Sequence, residues 1–301
     1  MIEHIPPIMP KAREADMDTQ ALIAMLNRDL ADEHAAIIRY LVHGYLEGED
    51  TAVGASLLSR AREEMWHMHW LGMVIGGLGG EPNMVPAKYP YDPTSRTTIF
   101  KTYIRYEEKL IPHYNGEADT VNDPHIKRIL QREAWESAMH AKKFQRLLNK
   151  LSPEMAAGAP RGEREVPENF IERLQGLVAS KYTEMLQHLR TAWVFQQTGM
   201  VGWQVLDLSM TKMKQLAHLA EPVGENGVEP RFRAGKVEIS ASIGQALERA
   251  LEDVRRARGL HTKFREEPET QKHGGLIINL DLAVQQEEYE AAEIEAWLEE
   301  I

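Results

Sequence analysis

The chain has 301 residues, enough for two domains at roughly 150 residues each. Lys plus Arg number 35 against 46 Asp plus Glu, a formal charge of −11. That excludes a nucleic-acid groove or an anionic membrane surface as partner, because both require clustered base. With no cysteine, disulfides, thiolate zinc sites, iron–sulfur clusters and a cysteine nucleophile are also excluded, leaving 12 His and the carboxylates as the strong metal ligands. No run reaches about 18 apolar residues, so no membrane span is expected. Met1–Pro7 has no basic region followed by an apolar core, so no signal peptide is expected and cytoplasm is the default.

Residues 1–17 read as a tail. From Thr19 the apolar residues Leu22, Leu26, Leu30, Ile37, Leu41 and Tyr45 recur with a period near 3.6, which predicts a helix with Asp18 as N-cap and Gly48 at its end. A second helix is predicted over about Val53–Ile75, followed by a loop to residue 97 that carries Pro82, Pro86, Pro90 and Pro93. A third spans about Thr98–Tyr114, and a fourth runs from Pro124, suited to a first turn, to Leu151. The stretch 152–169, rich in Pro, Gly, Ala and charge, reads as a linker between domains 18–151 and 170–301. Further helices are expected near 168–198, 202–220, 240–264 and 276–300, with loops at 221–235 and 266–275. No segment alternates with period two. The expectation is an all-α chain of two antiparallel four-helix bundles in tandem.

The halves resemble one another. Glu33 to Gly48 aligns with Glu184 to Gly199, and Gly79-Gly-Glu-Pro82 with Gly227-Val-Glu-Pro230, which suggests a duplication.

In the first half the inward stripe of every helix carries acids near its middle. These are Glu33 on the first, Glu64 with His67 at i+3 on the second, Glu107 on the third, and Glu133, Glu136 and His140 on the fourth. Burying a lone carboxylate costs several kcal/mol, so a core stripe should not hold one unpaired. A single helical Glu is usually solvated, but that reading must fail four times over to discard this set. In an antiparallel bundle the four midpoints meet. Two divalent metals would neutralise the cluster, and oxygen plus imidazole donors suit Fe or Mn, and also Zn.

These residues resemble the ferritin-like di-iron carboxylate superfamily, with bacterioferritin and rubrerythrin as the nearest likenesses. Asp-Leu-Ala-Asp-Glu33-His-Ala-Ala-Ile-Ile-Arg-Tyr40 is similar to a bacterioferritin first helix, and Tyr40 matches a tyrosine that lies near the metals there. Arg62-Glu-Glu64-Met-Trp-His67 and Met139-His140-Ala-Lys-Lys-Phe144 are similar to the second and fourth helices. The likeness covers about residues 15–151. The fourth helix departs from the usual Glu-x-x-His, since Ser137 stands three before His140. Glu136, at i−4, can still chelate with His140, and Glu133 competes for the bridging role. On the third helix Glu107 lies on the stripe and Glu108 at its edge. Met65 matches a haem-ligating methionine, but packing is the simpler role and haem is not expected.

His34, His43 and His113 read as structural, His69 as off the metal-facing stripe, and Trp66, Trp70 and Trp135 as packing. In the second half Glu184 matches Glu33, but Lys212 replaces Glu64 and Gln215 replaces His67. The stripe Ile243, Leu247, Ala250, Val254 has no acid, and the acidic run Glu287–Glu300 reads as a solvated face. Lys212 is expected to pair with Glu184 in a bundle that has lost its metals.

The resemblance implies a non-haem di-iron or Mn/Fe oxidoreductase activating O2 or peroxide, with Glu33, Glu64, His67, Glu107, Glu133, Glu136 and His140 as ligands and Tyr40 assisting. Electrons would come from a separate donor, and the substrate would be a small organic molecule. The rivals are a ferroxidase that takes Fe(II) itself and a non-catalytic scaffold with a structural metal. A homodimer would suit the exposed bundle faces.

Overall fold

The computed structural model describes residues 18–158 and 165–301; the expected tail 1–17 lies outside the described residues. The chain divides into two compact units, Met1–Gly162 and Glu163–Ile301. Among the described residues there is no strand, and no helix is long and apolar enough to cross a membrane.

The first unit holds α1 (Thr19–Glu47), α2 (Ala52–Gly77), α3 (Arg96–Thr120), α4 (Pro124–Lys150) and the short α5 (Pro153–Ala157). Helix α1 packs along α2 and α3 along α4, and α2 also meets α4. The long connection of residues 78–95 lies between the two hairpins, the plan of a bundle with one crossover. The α1–α2 turn demands glycine. Gly48 has φ +83°, and a Cβ on Gly54 would come within 1.8 Å of the Gly48 carbonyl oxygen. Thr51 caps α2 by accepting from the Gly54 amide. A Ser95–Thr98 capping box opens α3, and Asp123 accepts from the His125 and Ile126 amides ahead of α4. Asp18, the expected cap of α1, makes no side-chain cap bond; its carbonyl accepts from Leu22 instead.

Two helices outrun their expected ends, and each contains a proline, Pro112 within the expected span of α3 and Pro222 beyond that of α7 (Met200–Glu225). Helix α3 continues through Pro112 to Thr120, and α7 through Pro222. A proline inside a helix frees the carbonyl four residues earlier. Those residues, Glu108 and His218, are exposed, so water can satisfy what the ladder loses. Part of the expected linker is also ordered. Helix α5 is tied to α3 by Arg96 N–H donating to the Gly158 carbonyl (2.9 Å) and Thr97 Oγ1 to that of Ala156 (3.0 Å).

The second unit holds α6 (Glu168–Val194), α7, α8 (Ile243–Arg265) and α9 (Gly274–Glu300), with a 3-10 turn at Thr270–Lys272. It repeats the plan: α6 on α7, α8 on α9, and a long connection between the pairs. Leu247, Ala250 and Val254 sit in its apolar core with Val205, Leu208 and Ile294. The positive-φ glycines among the described residues are Gly48, Gly79, Gly199 and Gly227. They fall into the two pairs, Gly48 with Gly199 and Gly79 with Gly227, that the sequence alignment of the halves requires. Matching points of both units thus share the positive φ, although Gly48 ends α1 with ψ 135° and Gly199 opens α7 with ψ −141°.

Candidate metal centre

Helix periodicity delivers the carboxylates to one level. Glu33, Glu64, Glu107 and Glu133 are all buried, as are His67 and His140. Glu108, the alternative on α3, is exposed. Two triads form. Glu33, Glu64 and His67 bring one ligand atom each within 4.8 Å of the others, and so do Glu64, Glu107 and His140. Glu64 belongs to both. Its Oε2 lies 2.9 Å from His67 Nδ1 and its Oε1 2.7 Å from His140 Nδ1. The far nitrogens face outward to a second pair of acids: His67 Nε2 is 2.6 Å from Glu136, and His140 Nε2 is 2.6 Å from Glu63.

This changes the place of Glu136. It was expected beside His140. Its two oxygens instead meet His67 Nε2 and Arg132 Nε (2.8 Å), at the half-buried edge of α4. Glu133 faces inward, and both its oxygens are buried without a hydrogen-bond partner.

The electrostatics follow from four buried acids around two imidazoles. Burial and the Glu64 charge push the Glu33 carboxyl up to about 7. Burial raises Glu107 and Glu133 as well. Burial opposes the charge on Glu64, yet the flanking His140 and His67 hold it below the usual carboxylate range. Burial likewise disfavours imidazolium, but Glu33 beside His67 and Glu64 beside His140 raise both histidines. Without a cation, protons do the neutralising. The orphaned Glu133 and the mixed oxygen and imidazole donors fit divalent metal ions, which these groups can hold.

Tyrosines close the cluster from two sides. Tyr114 donates to Glu33, and Tyr40 donates to Glu107 Oε1 at 2.5 Å. The Tyr40 proton being so committed, Tyr89 donates to Tyr40 at 3.0 Å. Tyr89 comes from the proline-rich connection, which is tied to α1 by the Ala87 N–H to the Ala31 carbonyl (2.8 Å). Phe144 and Tyr103 pack on Tyr40, with ring centroids 5.2 and 5.1 Å away. Sequence reasoning missed Tyr114, although it lies two turns beyond Glu107 on the same stripe. Tyr89 had no periodic signal to find it by.

Other sequence expectations divide. His34 is buried and held down to about 3 by burial. His43 joins Tyr103 and Glu47, whose carboxylate Arg96 clamps. His69 is half-buried, and burial lowers it to about 4. Trp66 and Trp135 are not core residues; they stand 47% and 61% exposed.

The equivalent level of the second unit is occupied by lysine. Lys181 Nζ donates to Glu184 (2.8 Å) and Glu287 (2.7 Å), and Lys212 donates to Glu290. His261 Nδ1 lies 3.0 Å from Glu287. Two expectations are corrected here. Glu287 and Glu290 are fully buried rather than solvated, because these lysines reach them from α6 and α7. Lys212 pairs with Glu290, since Lys181, on the same helix as Glu184, already takes that carboxylate.

Residues 23–153 match the family described as Ferritin-like domain, which makes the first unit a ferritin-like domain. No curated protein matches the chain.

Proposed function

We propose that the first unit is a di-metal carboxylate oxidoreductase that activates O2 or peroxide. The observation that carries the reading is the membership of Glu64 in both triads, the arrangement of a carboxylate shared between two ions. Glu33 and His67 serve one position and Glu107 and His140 the other, with Glu133 as a further ligand. Glu136 and Glu63 hold the histidine rings from outside. Iron held by these residues would supply the electrons that reduce the oxidant. The chain's own groups do the rest. Tyr40 donates its proton to Glu107 across 2.5 Å between the oxygens, and the Tyr40–Tyr89 contact extends that proton's path toward the connection of residues 78–95. Phe100, Tyr103 and Phe144 keep bulk water out. With no cysteine in the chain, electrons for repeated turnover come from a separate donor.

The test is metal analysis of gently purified protein, followed by mixing the Fe(II) form with O2. A catalytic centre holds about two iron ions that Glu64→Ala removes, and turns over with a reductant. Retention of many irons per chain would make Fe(II) the cargo. Absence of metal, with Glu64→Ala and His67→Ala changing neither metal content nor stability, would leave only a scaffold.

A further inference from the structure

One turn before Glu33 on α1 stands Asp29, and across from it on α3 stand His113 and Glu117, spaced i, i+4. Their ligand atoms lie within 4.8 Å of one another. His113 Nε2 is 3.0 Å from Asp29 Oδ1 and 3.6 Å from Glu117 Oε2. None of the three belongs to the triads of the inner centre.

The burial is graded. Asp29 is wholly buried, the Glu117 side chain is 14% exposed and that of His113 36%. Asp29 Oδ2 and Glu117 Oε2 are shielded from solvent and lack a hydrogen-bond partner. The nearest fixed cation, Arg28, sits out in solvent and reaches only the other Glu117 oxygen, at 3.7 Å. A buried carboxylate oxygen facing a second carboxylate, with no donor of its own, is an arrangement that a cation resolves. Two carboxylates and one imidazole open to water on the outer side suit a divalent first-row metal that retains water ligands.

We propose that Asp29, His113 and Glu117 form a third divalent-cation site, separate from the Glu33–Glu64–Glu107 centre and loaded directly from solvent. It shares no residue with the triads and stands whether or not the inner centre holds metal. Glu133 lies within electrostatic reach of both Asp29 and Glu33.

The experiment is titration of the full-length, metal-free protein with Co(II), read by calorimetry and visible absorption, for wild type, Asp29→Asn, His113→Ala and Glu33→Ala/Glu64→Ala. The expected result is that Asp29→Asn and His113→Ala each bind one Co(II) fewer than wild type. The Glu33→Ala/Glu64→Ala protein retains one Co(II), and adding His113→Ala removes it. Should buried Asp29→Asn fail to fold, the half-exposed His113→Ala decides alone. Equal Co(II) stoichiometry in wild type and His113→Ala overturns the site, as does a Co(II)-soaked crystal with anomalous density at Glu64 and none at Asp29. Loss of Co(II) only in the Glu33→Ala/Glu64→Ala protein counts against the outer site and for the inner one, so the two readings fail separately.

Discussion

His67 and His140 are related as mirror parts around one carboxylate. Each presents Nδ1 to Glu64 and Nε2 to an acid of the outer layer, Glu136 for one and Glu63 for the other. Their rings are stacked 21° from parallel, with centroids 6.4 Å apart. An outer carboxylate on Nε2 fixes a proton there, so the Nδ1 proton facing the cluster is the one that a metal would displace.

From this relationship Glu136→Gln and Glu63→Gln should each weaken metal binding by about 10- to 100-fold without removing a position, the usual effect of losing an outer hydrogen-bond partner. Competition with a chelator of known affinity measures it. Loss of a whole equivalent of metal in Glu136→Gln would instead make Glu136 a ligand.

Glu133 separates metal binding from folding. Burial holds its carboxyl well above the usual range, so folding at neutral pH must protonate it; Glu133→Gln, with no charge to neutralise, should stabilise the metal-free protein by about 1–3 kcal/mol while reducing its metal affinity. Urea unfolding in chelator, beside a metal titration, reads both. A destabilised metal-free variant would mean that the carboxylate is already satisfied.

The pH dependence has a defined sign. Glu33 keeps its proton up to about 7 in the folded protein against an ordinary 4.5, and Glu107 and Glu133 shift the same way. Their contribution is present at low pH and lost as pH rises through that window. The raised histidines contribute fully below 6.5 and lose their contribution above it. Glu64 and Glu136, both lowered, act oppositely, but only below about 4.5. Metal-free protein should therefore show a Tm for the first unit that falls between about pH 5 and about pH 8. Metal binding requires deprotonated ligands, so added metal should raise Tm most at the alkaline end. Scanning calorimetry with and without chelator checks this; a Tm that rises across the range would contradict the raised carboxyls.

In the second unit, Lys212→Met strands a buried Glu290 and should cost about 3–5 kcal/mol. Lys212→Met/Glu290→Leu should recover most of that loss, because an apolar pair of similar volume is often as stable as the ion pair. Denaturant midpoints of the two variants test it, and equal losses would show that the lysine stem, not the charge pair, sustains the packing.

Much of this was legible in the residues. The 3.6-residue period placed Glu33, Glu64, Glu107 and Glu133 on inward stripes because each replaces an apolar residue in an otherwise regular run. Asp29 shares the face of Glu33 one turn on, but its neighbour Leu30 was read as the stripe residue, and its partner His113 lies 84 positions away on α3. His113 lay inside the predicted third helix but read as structural, and Glu117 lay beyond its predicted end at Tyr114, in what read as the loop at Gly116. Glu287 and Glu290 looked solvated because their lysine partners lie about eighty or more positions away on other helices, beyond any local pattern.

Lys212 stands on α7 where Glu64 stands on α2, and it carries its positive charge on the chain itself. The second bundle therefore leaves the ribosome with its counter-charges built in. The first leaves with a deficit that protons or scavenged cations must fill. On the proposed reading, stripping metal should therefore leave the stability of the lysine half unchanged and lower that of the carboxylate half alone.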